Sequence, residues 1–319
     1  MKITNEECLE QINTLISNCE FGEKLFNTYT TKLYTLAEIH ERIAFVNTLL
    51  SHNTSVYYQL WMVSLTYLLG DHMKVKNMFL AIAPDSYSKQ LGFFYQYILG
   101  FDPLFDSFIL HETDHFIFHL HPKRAADPKI QHQIERRELG AKNHCEFLKT
   151  TPDRKIHYYL WDTADMNRSG IYRSEAFSAY FTIHEDYAFD WHESMHVYNV
   201  HYGIESPCSF IFEGIAVCRD GRMGAYRLKF AQDAYKKFNI QPNIKLWWTD
   251  RDSFRNENSA ITYTAAGLLC YNLVKLDKTK FRQLLRYQKL EDAYRIYGKE
   301  TIENVIAETE RSIVAWKTN

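Results

Sequence analysis

The residues with the clearest capacity for chemistry lie in Asp190-Trp-His-Glu-Ser-Met-His196. On a helix, side chains four positions apart point the same way, so His192 and His196 can bind one cation through their imidazole nitrogens. Glu193, beside the first of them, stays free to accept and return a proton. A catalytic zinc takes three protein ligands and keeps one position open for solvent. Glu213, seventeen residues beyond His196 in Phe-Ile-Phe-Glu-Gly-Ile-Ala-Val-Cys-Arg-Asp, offers the third ligand. Two neutral imidazoles and one carboxylate leave the dication a net positive charge, so it acidifies water and polarises a carbonyl. The expected cofactor is therefore one Zn2+ ion on His192, His196 and Glu213, with Glu193 as general base.

Two helices must position these groups. The first carries an apolar stripe of Trp191, Met195 and Tyr198 on a face other than the ligand face, and Gly203 stops it soon after the motif. The second contains Gly214, which costs a helix interior roughly 1 kcal/mol relative to Ala. Together with the small Ala216, that glycine implies a close approach of the second helix to the metal helix. A second HExxH match, His111-Glu-Thr-Asp-His115, lacks this context. Glu135 or Glu138 would have to serve as its third ligand, and His115 opens an alternating strand, so a helix stacking His111 on His115 would end at its own last ligand. The earlier match is read as a polar turn entering a strand.

His-Glu-Ser-Met-His, a short connection containing Gly203 and Pro207, and then Phe-Glu-Gly-Ile-Ala resemble the gluzincin metallopeptidases. These are the thermolysin-like and aminopeptidase-like proteins grouped as peptidase MA-like. The resemblance runs from about His115 to the C-terminus and is concentrated in the two helices. It implies an α+β, zincin-like domain: a small mixed sheet beside the active-site helix, then a mostly helical C-terminal part. In that family the last strand before the metal helix is the sheet edge on which an extended substrate lies. A Tyr or His on a downstream helix usually holds the oxyanion, and Tyr263, in Ser-Ala-Ile-Thr-Tyr-Thr-Ala-Ala-Gly, stands where the resemblance puts it. A packing role for Tyr263 is equally open, with His201 and Tyr202 as the other candidates. Two departures stand out. Val217 occupies the place of the Asp that supports a metal-bound histidine in thermolysin-like enzymes, with Asp220 a turn further on. The Gly-x-Met-Glu-Asn signature of the related aminopeptidases is missing, which leaves endopeptidase or narrowly specialised protease activity open.

The remaining sequence sets the frame. At 319 residues the chain is long enough for two compact units. Its 37 Lys and Arg nearly balance its 39 Asp and Glu, so no basic field points to nucleic acid or an anionic membrane. The polar start, Met-Lys-Ile-Thr-Asn-Glu-Glu-Cys, and the lack of an apolar run long enough for a bilayer lead to the expectation of a cytoplasmic protein. Six cysteines without CxxC spacing read as reduced, mostly buried thiols. Residues 1–105 are expected to be an all-helical N-terminal region, with breaks such as Gly22 and a helix from Val56 to Leu69 buried on all sides. Residues 106–319 are expected to form the metallopeptidase domain. Its strands are read at His115–His121, Lys155–Trp161 and Ala179–His184, with a helix over Lys129–Leu148 and a polar loop over Asp162–Ser174. Helices then follow over Ser259–Leu276, Thr279–Tyr287 and Glu300–Trp316.

The functional expectation is a zinc metallopeptidase acting on a peptide or protein substrate, with the N-terminal helices available to a protein partner. Hydrolysis of another amide or an ester would use the same groups. The rival from a different class is an interaction protein in which the zincin-like fold is a scaffold with a structural or weakly active metal.

Overall fold

The structure is a computed structural model, described over residues 4–17, 36–70, 72–172, 174–186, 191–204, 208–221 and 225–315. The protein is mixed α+β, largely helical with one five-stranded mixed sheet. Its contacts group it into two compact units, residues 1–130 with 152–187 and residues 131–151 with 188–319. The expected division after residue 105 thus falls inside the first unit, which holds the N-terminal helices and the whole sheet.

In the first unit, helices α1 (Asn5–Ser17), α2 (Leu36–His52), α3 (Val56–Leu68) and α4 (His72–Leu80) carry the helical texture expected of the N-terminal region. The break expected at Gly22 lies outside the described residues. Ser55 starts α3, its hydroxyl accepting from Tyr57 N at 3.3 Å. Every residue of α3 from Leu60 to Leu68 is buried, as a helix apolar all round requires.

The sheet is built from β1 (Ile109–Glu112), β2 (Phe116–Leu120), β3 (Ile156–Leu160), β4 (Glu175–Phe177) and β5 (Thr182–Glu185), in the order β1-β2-β3-β5-β4. The central three are parallel and both outer strands are antiparallel. The three expected strands are β2, β3 and β5; β1 and β4 lie outside the expected ranges. Three corrections follow. The earlier HExxH match is a hairpin rather than only a turn: His111 and Glu112 belong to β1, opposite Phe118 and Ile117, and Thr113 N closes the turn on Phe116 O at 2.9 Å. Glu112 accepts from Lys155 Nζ at 2.6 Å. The loop over Asp162–Ser174 contains a short helix, Thr163–Arg168. Finally, β5 is not an edge, because β4 folds back through a short turn and pairs with it.

Alternation puts Phe116, Phe118 and Leu120 on one face of β2 and His119 on the other, yet both faces are buried. The register aligns His119 with Tyr159 and His184, and Ile117 with His157 and Thr182. Tyr67 of α3 covers this polar face, its hydroxyl 2.8 Å from Thr182 Oγ1, and His72 of α4 stacks on His157. His119 Nε2 lies 3.0 Å from His157 Nδ1. His184 accepts from Trp161 Nε1 at 2.9 Å and donates from Nε2 to Ile98 O at 2.9 Å. Burial pushes His72 and His184 down to about 4, His157 to about 3 and His119 well below the usual imidazole range.

These imidazoles are neutral in the folded chain and protonate in the unfolded chain near pH 6.5. A folded value below the unfolded one gives stability that is fully present above about pH 6.5 and lost as pH falls towards 3–4. At pH 5, His72, His157 and His184 each cost about 2 kcal/mol, against a typical total of about 5–15 kcal/mol. The expected result is a thermal midpoint, followed by near-UV circular dichroism, that drops steeply between pH 7 and pH 5. An unchanged midpoint over that range would contradict the prediction.

The second unit contains α5 (Ile130–Leu148, all but its first residue), α6 (His192–Gly203), α7 (Ser209–Arg219), α8 (Ala225–Phe238), α9 (Arg251–Asn256), α10 (Ser259–Leu276), α11 (Lys278–Tyr287), α12 (Leu290–Tyr297) and α13 (Lys299–Val314). The Asn258 side chain caps α10 by accepting from Ala260 N at 3.0 Å. The middle of α10 is buried, with α7, α8, α11 and α13 all packed against it. Cys218 and Cys270 are buried free thiols and Cys145 and Cys208 are half-buried ones, while the side chains of Cys8 and Cys19 lie outside the described residues. No helix among the described residues is long and apolar enough to cross a membrane.

Candidate metal centre

Helix α6 begins immediately after Trp191, and α5 determines where. Any Cβ at Gly140 of α5 would lie 2.5–2.7 Å from the Trp191 ring, so the indole occupies the space that only glycine leaves. One turn on, His144 Nε2 lies 3.2 Å from Trp191 O. Burial pushes His144 down to about 3, so the ring is neutral, and its Nε2 hydrogen is donated to that carbonyl. Met195 N and Ser194 Oγ reach the same oxygen at 3.0 and 2.9 Å. Gly203 ends α6 at φ +95°, a left-handed conformation in which glycine meets no Cβ penalty.

One helical turn apart, His192 and His196 bring their Nε2 atoms to 3.1 Å. Phe212 of α7 stacks on the His196 ring, with centroids 4.4 Å apart and planes 17° from parallel. The next residue, Glu213, places Oε2 3.3 Å from both Nε2 atoms. Three donor atoms thus form a triangle with sides of 3.1, 3.3 and 3.3 Å. Zinc at about 2.0–2.1 Å from its ligands in a tetrahedron sets them about 3.3 Å apart, so the triangle fits the ion. His196 and Glu213 are buried and His192 is partly exposed. Among the described residues this is the one group of three or more His, Cys, Asp or Glu with ligand atoms this close together. Burial alone would raise the Glu213 carboxyl, but hydrogen bonds from the two imidazoles outweigh it and hold the group well below the usual carboxylate range.

Glu193 is partly exposed in the first turn of α6, and no ion pair or hydrogen bond engages its carboxylate among the described residues. A residue that sequence reasoning missed completes the surroundings. Arg255 of α9 donates from Nη2 to Glu213 Oε1 at 2.9 Å, and from Nη1 to the Tyr263 hydroxyl. Tyr263 therefore reaches the site through Arg255, one hydrogen bond removed from the ligand. Its ring stacks on Phe254 at 5.2 Å and 12°. Of the other candidates, Tyr202 faces the Arg286 guanidinium, which lies 5.9 Å from its ring centroid. No spacing rule links Arg255 to the motif, since α9 and α7 meet only through tertiary packing.

Neither position expected to supply a supporting carboxylate after Glu213 does so simply. Val217 is buried, and Asp220 forms a buried ion pair with Arg227. His196 Nδ1 and both amide atoms of Asn199, three residues on, are buried without a hydrogen-bond partner among the described residues.

Gly214 allows a close approach, but to a different helix from the one expected. A Cβ there would meet Ala266 O at 2.8 Å and Cys270 Sγ at 2.8 Å, both on α10. Gly214→Ala is therefore expected to destabilise the second unit by about 1–3 kcal/mol, as overpacking does, although Ala is the better helix former. Urea unfolding measures it; a rise in stability would show that propensity wins. Comparison of the chain with protein-family models, curated proteins and solved structures finds no match.

Proposed function

We propose that His192, His196 and Glu213 hold one zinc ion and that the chain is a gluzincin-type, zincin-like metallopeptidase. The observation that carries this reading is the convergence of three ligand atoms within 3.3 Å of one another, beside a carboxylate that nothing among the described residues engages. Bound zinc supplies Lewis-acid chemistry, acidifying water and polarising a carbonyl. Glu193, next to His192, takes the proton from water and returns it to the leaving amine. Arg255 anchors the Tyr263 hydroxyl; because a guanidinium only donates, that contact does not consume the phenol hydrogen, which supports Tyr263 as a donor to a developing oxyanion. The substrate is a peptide or protein.

One observation favours the alternative of a scaffold with a structural or weakly active metal: among the described residues, His196 Nδ1 meets no acceptor of the kind that normally orients a metal-bound imidazole. Peptide cleavage before and after chelation, with Glu193→Gln as control, separates the two. Chelator-sensitive cleavage that disappears in the variant supports the peptidase; cleavage no greater in the wild type than in a zinc-loaded variant supports the scaffold.

A further inference from the structure

The two oxygens of Glu213 serve different partners. Oε2 faces both imidazoles at 3.3 Å, and Oε1 accepts from Arg255 at 2.9 Å. We infer that Arg255 is a positioning residue that keeps Glu213 one-armed towards the metal: the guanidinium holds Oε1, so only Oε2 is left to complete the triangle with His192 and His196. The inference rests on the metal-site reading above.

Arg255 is itself fixed, although its side chain is 38% exposed. One arm of the guanidinium is on Glu213 and the other on the Tyr263 hydroxyl. Its central carbon lies 5.8 and 5.7 Å from the Phe254 and Tyr263 ring centroids, within the roughly 6 Å over which an aromatic ring attracts a cation. A charge-assisted hydrogen bond is about twice as strong as a neutral one, and from so constrained a donor it fixes the position of Oε1. A carboxylate without such a partner can offer both oxygens to one cation. A second oxygen from Glu213 would add a fourth protein donor and fill the corner that a hydrolytic site leaves to solvent. Arg255 thus does more than neutralise charge: it preserves the vacancy in the coordination shell.

Cobalt(II) substituted for zinc reports coordination number through its visible absorption, which weakens as ligands are added to a four-coordinate ion. The test compares the cobalt-loaded full chain with Arg255→Met, which keeps the stem and removes the donors, and with Arg255→Lys, which restores one donor. The expected result is intense absorption in the wild type, a loss of intensity in Arg255→Met, and recovery in Arg255→Lys. Tyr263→Phe removes the second anchor by an independent route and shifts the spectrum in the same direction by less, which keeps the question answerable if the Met variant misfolds. Spectra of Arg255→Met and Tyr263→Phe that superimpose on the wild type overturn the inference. A wild-type chain that takes up neither cobalt nor zinc overturns the metal-site reading, and this inference with it.

Discussion

Replacing Glu193 with Gln is expected to lower peptide cleavage by about 10²–10⁴-fold, the range over which a positioned acid–base group contributes, while zinc content stays unchanged. Gln has nearly the volume of Glu and occupies the same first turn of α6, so Trp191, Gly140 and His144 still determine where the helix begins. The converging atoms are the two histidine Nε2 atoms and Glu213 Oε2, and Glu193 is not among them. On the proposed mechanism, what is lost is the carboxylate that takes a proton from water and gives it to an amine. Single-turnover kinetics on a quenched peptide, with zinc measured in the same samples, provides the check. Equal rates in the zinc-loaded variant and the wild type would remove the enzyme reading altogether.

Replacing His196 with Ala is expected to abolish zinc binding and, with it, all chelator-sensitive cleavage. Removing even an outer partner of a metal ligand costs about 10–100-fold in affinity, so loss of the ligand itself exceeds that. His196 is the more buried of the two histidines, and its ring fills the space beneath Phe212. The substitution therefore opens a cavity as well as removing a donor, and among the described residues Glu213 keeps His192 and Arg255. Chelator competition with a fluorescent zinc indicator measures the affinity. Zinc held as tightly by His196→Ala as by the wild type would show that the ion, if present, lies elsewhere.

The most local features were the most legible in the sequence. The i, i+4 histidines, the stop at Gly203 and the run from Ser259 to Leu276 depend on neighbours within a turn or two, and the elements appear where those signals put them. The short strands were not legible. Ile109 and Leu110 are both exposed on an outer strand, so β1 has no one-sided burial to write into an alternating pattern, and β4 is three residues long. Gly214 announced that something comes close without saying what; only the packing of α10 identifies Ala266 and Cys270. Arg255 left no trace, because a cation on a six-residue helix looks like any solvated surface charge until α9 packs near Glu213. Alternation on β2 correctly separated phenylalanines from histidine, but it could not tell that the histidine side would be buried as well.

The origin of the ligand helix is gauged by a residue fifty-one positions upstream of Trp191, since the indole needs the bare α-carbon of Gly140. The chain from Trp191 to Arg219 carries every donor atom of the triangle but not the datum against which the first helix is set. Transplanting that stretch into another scaffold would move the ligands without their ruler. A working graft has to bring residues 131–151 along with it.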